Sequence, residues 1–150
     1  MPEGPAVTIR YLTIHCAATI EGRDHKAAEV RQWDVDRFGQ PSYHLVVELD
    51  GSYHRHLDDT VRGAHVGGHN TGNIGICYVG GLGRDGKPKD TRTANQRQTL
   101  RTLVATYQAR YPGIIVRGHR DWSPDKDGDG KIEPHEWLKS CPCFDVATEL

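Results

Sequence analysis

The most informative part of the sequence is a pair of motifs near its end: Gly118-His119-Arg120-Asp121 and Lys139-Ser140-Cys141-Pro142-Cys143-Phe144-Asp145. Imidazole nitrogen and thiolate sulfur are ligands that Zn²⁺ favours in proteins, so His119 and Cys141 are candidate zinc ligands. A short predicted strand over residues 114–116 leads into His119, and Lys139 stands just before the cysteine. The two motifs therefore predict a metal site in the last third of the chain.

Between the two motifs lies an acidic segment, Asp125-Lys126-Asp127-Gly128-Asp129-Gly130-Lys131-Ile132-Glu133-Pro134-His135-Glu136. It satisfies the EF-hand loop pattern, with a glycine at the sixth position and a glutamate at the twelfth. The predicted Ca²⁺ ligands are Asp125, Asp127, Asp129, Glu136 and the backbone carbonyl of Lys131. Ser123-Pro124 disfavours an entering helix, whereas residues 133–140 can form an exiting one. The alternative is a carboxylate-rich turn that folds without metal.

Composition and charge limit the classes of protein that this chain can belong to. It has 150 residues, with 19 Lys and Arg against 20 Asp and Glu, and a formal net charge of -1. This balance gives no basic excess for non-specific nucleic-acid binding. No apolar run approaches the roughly eighteen residues of a membrane helix, and Met1-Pro2-Glu3-Gly4-Pro5 lacks the basic start of a signal peptide. The sequence predicts one domain over 1–150, made in the cytoplasm, without membrane insertion.

Strands and helices alternate along the chain, which predicts an α/β domain with a central mixed sheet flanked by helices. The predicted strands are 7–14, 43–49, 52–56, 74–79 and 114–116, and the predicted helices are 24–37 and one that begins near Thr93. In the first helix, Ala28, Val30 and Trp33 are the residues expected to be buried. In the second, Thr93 and Gln96 fit a capping box, and the apolar face is Leu100, Leu103, Val104, Tyr107 and Tyr111.

His15 follows the first predicted strand and is the third candidate zinc ligand. Two histidines and one cysteine form a sensible catalytic zinc set, because three protein ligands leave a fourth position for water or substrate. The spacing is too long for any short metal motif, however. On residue pattern alone, His15 and His119 are equally well explained as ordinary polar residues at strand ends.

Seven segments give a more specific indication: Ile14-His15-Cys16, Ser42-Tyr43-His44, Ala64-His65, Asn73-Ile74-Gly75-Ile76-Cys77, Val79-Gly80-Gly81, Gly118-His119-Arg120-Asp121 and Lys139-Ser140-Cys141-Pro142-Cys143-Phe144-Asp145. Together, in this order, they resemble the phage lysozyme-type N-acetylmuramoyl-L-alanine amidases, which are related to the peptidoglycan-recognition proteins. The resemblance implies that fold over nearly the whole chain, with residues 125–136 as an insertion. It implies zinc on His15, His119 and Cys141, and catalytic roles for Tyr43 and Lys139.

The resemblance also implies a reaction, hydrolysis of the amide bond between N-acetylmuramic acid and L-alanine in bacterial peptidoglycan. The protein would be a phage or prophage endolysin that acts on the cell wall after its release. The Lys139 ammonium would stabilise the oxyanion of the tetrahedral intermediate, and the Tyr43 hydroxyl would orient the attacking water or relay a proton.

His65, before a glycine-rich loop, is a predicted substrate contact. Ca²⁺ would order the insertion and so pre-organise Lys139 and Cys141.

Two other functions stay open at this point. One is a non-catalytic peptidoglycan-binding module with a structural zinc site, although binding-only relatives are expected to lack the cysteine ligand that Cys141 supplies here. The other is regulation through a protein partner, which nothing in the sequence tests. Peptidoglycan is the predicted partner in the main hypothesis, nucleic acid is not expected, and the chain is expected to act as a monomer.

Overall fold

The structure is a computed structural model that describes residues 7–150. Its strands are β1 (Tyr11–Cys16), β2 (Thr19–Ile20), β3 (Leu45–Val47), β4 (Tyr53–Arg55), β5 (Asn73–Tyr78), β6 (Gly81–Leu82) and β7 (Ile115–Gly118). Its helices are α1 (Ala27–Phe38), α2 (Ala94–Arg110) and α3 (Val146–Glu149), with 3₁₀ turns at His119–Trp122 and Pro134–Glu136. The signal-peptide prediction concerns residues 1–5, which lie outside the described residues. Within residues 7–150, no helix combines the length and apolarity that crossing a membrane requires.

Five strands form a mixed sheet in the order β4-β3-β5-β1-β7, and β2 pairs with β6 separately. Strand β1 is parallel to both β5 and β7, β3 is parallel to β5, and β4 is antiparallel to β3. The carboxyl ends of parallel strands meet at one edge of a sheet, where ligands of α/β proteins commonly bind. This topology confirms the predicted α/β fold and brings the ends of β1 and β7 side by side.

Helix α2 covers one face of the sheet. The main apolar core combines α2 residues with sheet residues: Leu100, Leu103, Val104 and Tyr107 with Leu12, Ile14, Ile74 and Ile76. The predicted capping box is present, because Thr93 Oγ1 accepts a hydrogen bond from the Gln96 N–H at 3.1 Å and the Gln96 side chain accepts one from the Thr93 N–H at 2.9 Å. Gln96 Nε2 also donates to the Val79 carbonyl at 2.9 Å, which ties the start of α2 to the chain that follows β5.

Three local predictions are wrong. The first strand covers residues 11–16, so His15 lies inside β1 and does not follow it. In α1, Ala28 and Trp33 are exposed, Trp33 by 43%, because Ala27 and Val30 form the buried face of a helix that begins only at Ala27. The expected exiting helix over 133–140 is only a 3₁₀ turn, because the backbone of Trp137 is extended and the Leu138 N–H donates to Ser123 Oγ and not to a helical carbonyl.

The carboxylate of Asp59 ties the connection between β4 and β5 to α2. One oxygen accepts hydrogen bonds from Arg55 at 3.0 Å and from the Tyr107 hydroxyl at 2.6 Å. The other accepts from Arg110 at 2.9 Å and from the Tyr111 hydroxyl at 2.8 Å. Partial burial alone would raise the pKa of Asp59, but these four donors outweigh it and hold the pKa at about 2.

We expect Asp59→Asn to lower the free energy of unfolding at neutral pH by about 2 kcal/mol, because hydrogen bonds to an ionised carboxylate are lost. The pKa of Asp59 is lower in the folded than in the unfolded chain. Its contribution is therefore complete above the unfolded value of about 4 and disappears as the pH falls towards 2. In urea titrations, the difference between wild type and variant should shrink by about half near pH 3.

The matched control is Asp58→Asn at the exposed neighbouring residue. It should change the free energy of unfolding by no more than about 0.5 kcal/mol, as is usual for surface substitutions. A difference between Asp59→Asn and wild type that stays constant from neutral pH to about pH 3 would contradict the proposed contribution of the ionised carboxylate.

Candidate metal centre

Three side chains converge at the carboxyl edge of the sheet. His15 comes from β1, His119 opens the 3₁₀ turn after β7, and Cys141 lies in the C-terminal segment. One ligand atom of each lies within 4.8 Å of the other two, and the two imidazole rings are 4.6 Å apart. His15 is only 1% exposed, and the other two are partly buried. The structure thus brings together the three residues that the sequence predicted as zinc ligands.

The donor set fits zinc in chemistry and in spacing. Tetrahedral zinc with nitrogen and sulfur ligands at their usual bond lengths places the ligand atoms roughly 3.3–3.8 Å apart, so small side-chain shifts suffice here. Burial lowers the pKa of His15 well below its ordinary value. Burial, and then the nearby Lys139 ammonium, lower the pKa of His119 to about 4. Both imidazoles are therefore neutral at pH 7 and carry the lone pairs that a metal requires.

The backbone holds Cys141 in place on both sides. The Cys16 N–H donates to the Cys141 sulfur at 3.1 Å, and the Arg120 N–H donates to the Cys141 carbonyl at 2.8 Å. The Tyr78 hydroxyl donates a hydrogen bond to the carbonyl of the next residue, Pro142, at 2.6 Å. Phe144 is buried in the main core. These contacts fix the position of the sulfur beside the two imidazoles, where it could join them as a metal ligand.

The two predicted catalytic side chains lie beside this cluster. The ring centre of Tyr43 is 5.1 Å from that of His15, and burial raises the pKa of its phenol well above the ordinary value. Lys139 is exposed and lines a cavity of about 290 Å³ together with His119 and Trp122. Tyr43 thus keeps its proton at neutral pH, and Lys139 presents a positive charge on the open side of the site.

His65 has a different environment from the one predicted. Its side chain is 7% exposed, and burial lowers the pKa of its imidazole to about 3. Nδ1 lies 2.9 Å from His15 Nε2, and Nε2 lies 2.8 Å from the Asn73 carbonyl oxygen. Because both ring nitrogens have partners within the protein, this geometry does not support the predicted contact with substrate.

His69 and Trp122 were not predicted as site residues, yet both line the cavity beside the cluster of candidate zinc ligands. Their rings are 4.7 Å apart. The same two residues and Ser123 also line a second cavity of about 570 Å³, which extends to Asp125 and Ile132 in the acidic loop. The shared lining makes the two cavities parts of one groove. The position of Trp122 directly after the Gly-His-Arg-Asp motif is the signal that could have identified it.

The acidic loop gathers the four predicted carboxylate ligands. One oxygen from each of Asp125, Asp127, Asp129 and Glu136 lies within 4.8 Å of the others. Glu136 is 1% exposed and accepts hydrogen bonds from the backbone N–H groups of Asp127 and Glu133, at 3.3 and 3.0 Å. A hydrogen bond with Asp129, and then burial, raise the pKa of Glu133 to about 7. The role of the Lys131 carbonyl stays a prediction.

The family described as N-acetylmuramoyl-L-alanine amidase (Amidase_2) matches residues 5–136. The chain belongs to this family. The endolysin of Enterobacteria phage T3 is 32% identical over 143 residues, which cover 95% of this chain and 85% of that protein. The family match ends before Lys139 and Cys141, so their assignment rests on the geometry described above and on the motif around them.

Two solved structures have the same fold as this amidase-family chain. One is the N-acetylmuramoyl-L-alanine amidase LysC of Clostridium intestinale, with a TM-score of 0.66, 18% identity, and coverage of 95% of this chain and 81% of that one. The other is the bumblebee protein PGRP-SA, with a TM-score of 0.65, 16% identity, and coverage of 94% and 82%. At these identities the similarity concerns the fold alone.

We expect the purified protein to bind one Zn²⁺ per chain at neutral pH, and Cys141→Ser to weaken zinc binding by more than about 100-fold, because a direct ligand is lost. Zinc content after dialysis, together with competition against a colorimetric chelator, measures both quantities. Cys143→Ser is the control, since the Cys143 sulfur contacts the Gly81 carbonyl at 3.4 Å and lies outside the cluster. Equal zinc affinity in the two variants would contradict the assignment of Cys141.

Proposed function

We propose that the protein is a zinc-dependent N-acetylmuramoyl-L-alanine amidase that acts, as a monomer, on bacterial peptidoglycan. It would hydrolyse the amide bond between N-acetylmuramic acid and L-alanine. The observation that carries this proposal is the convergence of His15, His119 and Cys141 at the edge of the sheet, in a chain of the amidase family. Its similarity to a phage endolysin supports a role as a phage or prophage endolysin that reaches the cell wall after its release.

The residues around the cluster fit amide hydrolysis. A bound zinc ion would supply a water of lowered pKa and would polarise the scissile carbonyl. Lys139 lines the cavity beside His119, so its ammonium can stabilise the oxyanion that forms at this carbonyl. Tyr43 keeps its proton and can donate a hydrogen bond to the attacking water or pass a proton towards the leaving amine.

The groove next to the cluster is suited to a glycan with an attached peptide. Trp122 forms part of the lining of both cavities, so its indole can contact a sugar ring or an apolar side chain. Arg117 lines the outer cavity, with its guanidinium carbon 4.7 Å from the Trp122 ring centre, and can pair with a carboxylate of the stem peptide. We assign the inner cavity to the scissile bond and the outer cavity to the stem peptide.

Digestion of purified peptidoglycan, followed by mass spectrometry of the soluble products, should show stem peptides with free L-alanine amino termini. Tyr43→Phe and Lys139→Met should each slow this release by about 100-fold, because a proton donor or an oxyanion contact is lost. Lys131→Met is the control for the second variant, since the Lys131 side chain is exposed and only its backbone carbonyl is a proposed ligand.

Two other outcomes of this assay would point elsewhere. Products cleaved within the stem peptide would show a different bond specificity. Binding of the zinc-loaded protein to intact peptidoglycan without any release of peptide would instead support a non-catalytic binding module.

We further propose that residues 125–136 form an insertion that binds one Ca²⁺ within a single domain over 1–150. Carboxylates this close repel one another unless a cation lies between them. Ser123 and Leu138 flank the insertion and form its neck. The Leu138 N–H donates a hydrogen bond to Ser123 Oγ at 3.0 Å, which closes this neck. Lys139 and Cys141 follow this neck directly, so a cation that orders the loop would also order the third zinc ligand.

Protein stripped of divalent ions and reloaded with Zn²⁺ alone should melt at a lower temperature, and turn over more slowly, than the same protein after Ca²⁺ is added. At a Ca²⁺ concentration of about 100 Kd, the expected stabilisation is about 2.7 kcal/mol. Asp125→Asn should abolish most of this effect, and Mg²⁺ in place of Ca²⁺ is the ion control. An unchanged melting temperature and rate on addition of Ca²⁺ to the wild type would contradict the proposal.

A further inference from the structure

Two consecutive hydrogen bonds link His15 to the backbone of β5. His15 Nε2 lies 2.9 Å from His65 Nδ1, and His65 Nε2 lies 2.8 Å from the Asn73 carbonyl oxygen. Both rings are buried, with 1% of His15 and 7% of His65 exposed. Because β1 and β5 are paired neighbours, the anchoring carbonyl and the candidate zinc ligand belong to the same rigid part of the sheet.

The Asn73 carbonyl determines which nitrogen of each ring carries the hydrogen. A carbonyl oxygen only accepts hydrogen bonds, so Nε2 of His65 must be the N–H donor. In a neutral imidazole the other nitrogen is then an acceptor, so Nδ1 of His65 accepts a hydrogen bond from Nε2–H of His15. Assigned in this way from its partners, His15 has its lone pair on Nδ1.

We propose that His65 is a positioning residue of the metal centre, which fixes His15 in the Nε2–H tautomer so that Nδ1 of His15 binds the zinc ion. This inference rests on the zinc site of the proposed function. A hydrogen bond to the far nitrogen of a ligand histidine fixes the ring orientation and raises the basicity of the ligand. Loss of such a partner typically weakens metal binding by about 10–100-fold.

The surroundings of His65 hold its ring in the required position. Asn70 Oδ1 accepts hydrogen bonds from the backbone N–H groups of His65 and Val66, both at 2.8 Å. The ring lies against Gly75, where a Cβ would come within 2.9 Å of His65 Cγ and Nδ1, so a larger residue there would displace the imidazole. The Asn73-Ile74-Gly75 segment therefore supplies both the anchoring carbonyl and the space for the ring.

His44 provides a matched control. It is as buried as His15, and its ring centre is 5.8 Å from that of His65. Its Nε2 lies 2.7 Å from the Val61 carbonyl oxygen, and its Nδ1 accepts a hydrogen bond from the Gly75 N–H at 3.0 Å. His44 is thus a neighbouring buried histidine of the same tautomer whose two hydrogen bonds end on the backbone and do not reach His15.

The variants to compare are His65→Leu, His65→Gln and His44→Leu, with zinc affinity measured by chelator competition and folding by circular dichroism. His65→Leu should weaken zinc binding by about 10–100-fold, because His15 loses its hydrogen-bond acceptor. A glutamine at this position offers an oxygen to His15 and an N–H to Asn73, so His65→Gln should recover most of the affinity. His44→Leu should retain the wild-type affinity.

Nitrogen NMR of histidine-labelled wild-type protein tests the tautomer without any substitution. Nε2 of His15 should carry the hydrogen before and after zinc is added, and zinc should shift the resonance of Nδ1. Coordination through Nε2 of His15, or wild-type zinc affinity in folded His65→Leu, would overturn the role of His65. Failure of the wild-type protein to bind zinc at all would overturn the zinc site itself, and the role of His65 with it.

Discussion

The site depends on the alternation of side chains along one buried strand. β1 is paired on both sides with parallel strands, so its side chains must lie on one of two covered faces. Leu12 and Ile14 enter the core beneath α2. Thr13 and His15 therefore share the opposite face. There Thr13 accepts a hydrogen bond from Trp122 Nε1 at 3.0 Å, and His15 lies close to the other candidate zinc ligands. A shift of one residue in the register of β1 would exchange core and site.

Local features of the structure could be predicted from the sequence, whereas contacts between residues far apart in the sequence could not. The proposed zinc ligands were predicted from the family motifs around them and not from residue type alone, whereas α2 was predicted because its cap and its apolar face agree. The position of His65 was not predictable in this way, since its hydrogen bond to His15 joins residues 50 apart in sequence. The buried face of α1 was mispredicted because the apolar residues of this short helix are compatible with more than one orientation until the sheet is in place.

The acidic loop lies, in sequence, between two of the proposed zinc ligands, yet hydrogen bonds separate it from the cluster that those ligands form. The hydrogen bond between Ser123 and Leu138 closes its neck, and a second one joins the Arg120 N–H to the Cys141 carbonyl. A longer loop between two fixed ends adds only a slowly growing entropic cost. The C-terminal segment also packs tightly on β7, because a Cβ on Gly118 would lie 2.8 Å from Pro142 Cδ. The acidic loop can thus extend the groove without displacing Cys141.

The charge of the cluster gives a physical reason for a histidine at position 65. A carboxylate could accept the same hydrogen bond from His15, but it would place a buried negative charge behind the metal. With zinc bound, two neutral imidazoles and one thiolate would leave one net positive charge at the centre. Lys139 adds a second positive charge on the cavity side. A neutral imidazole anchored on a backbone carbonyl orients His15 and preserves this positive field, which is the field that a developing oxyanion requires.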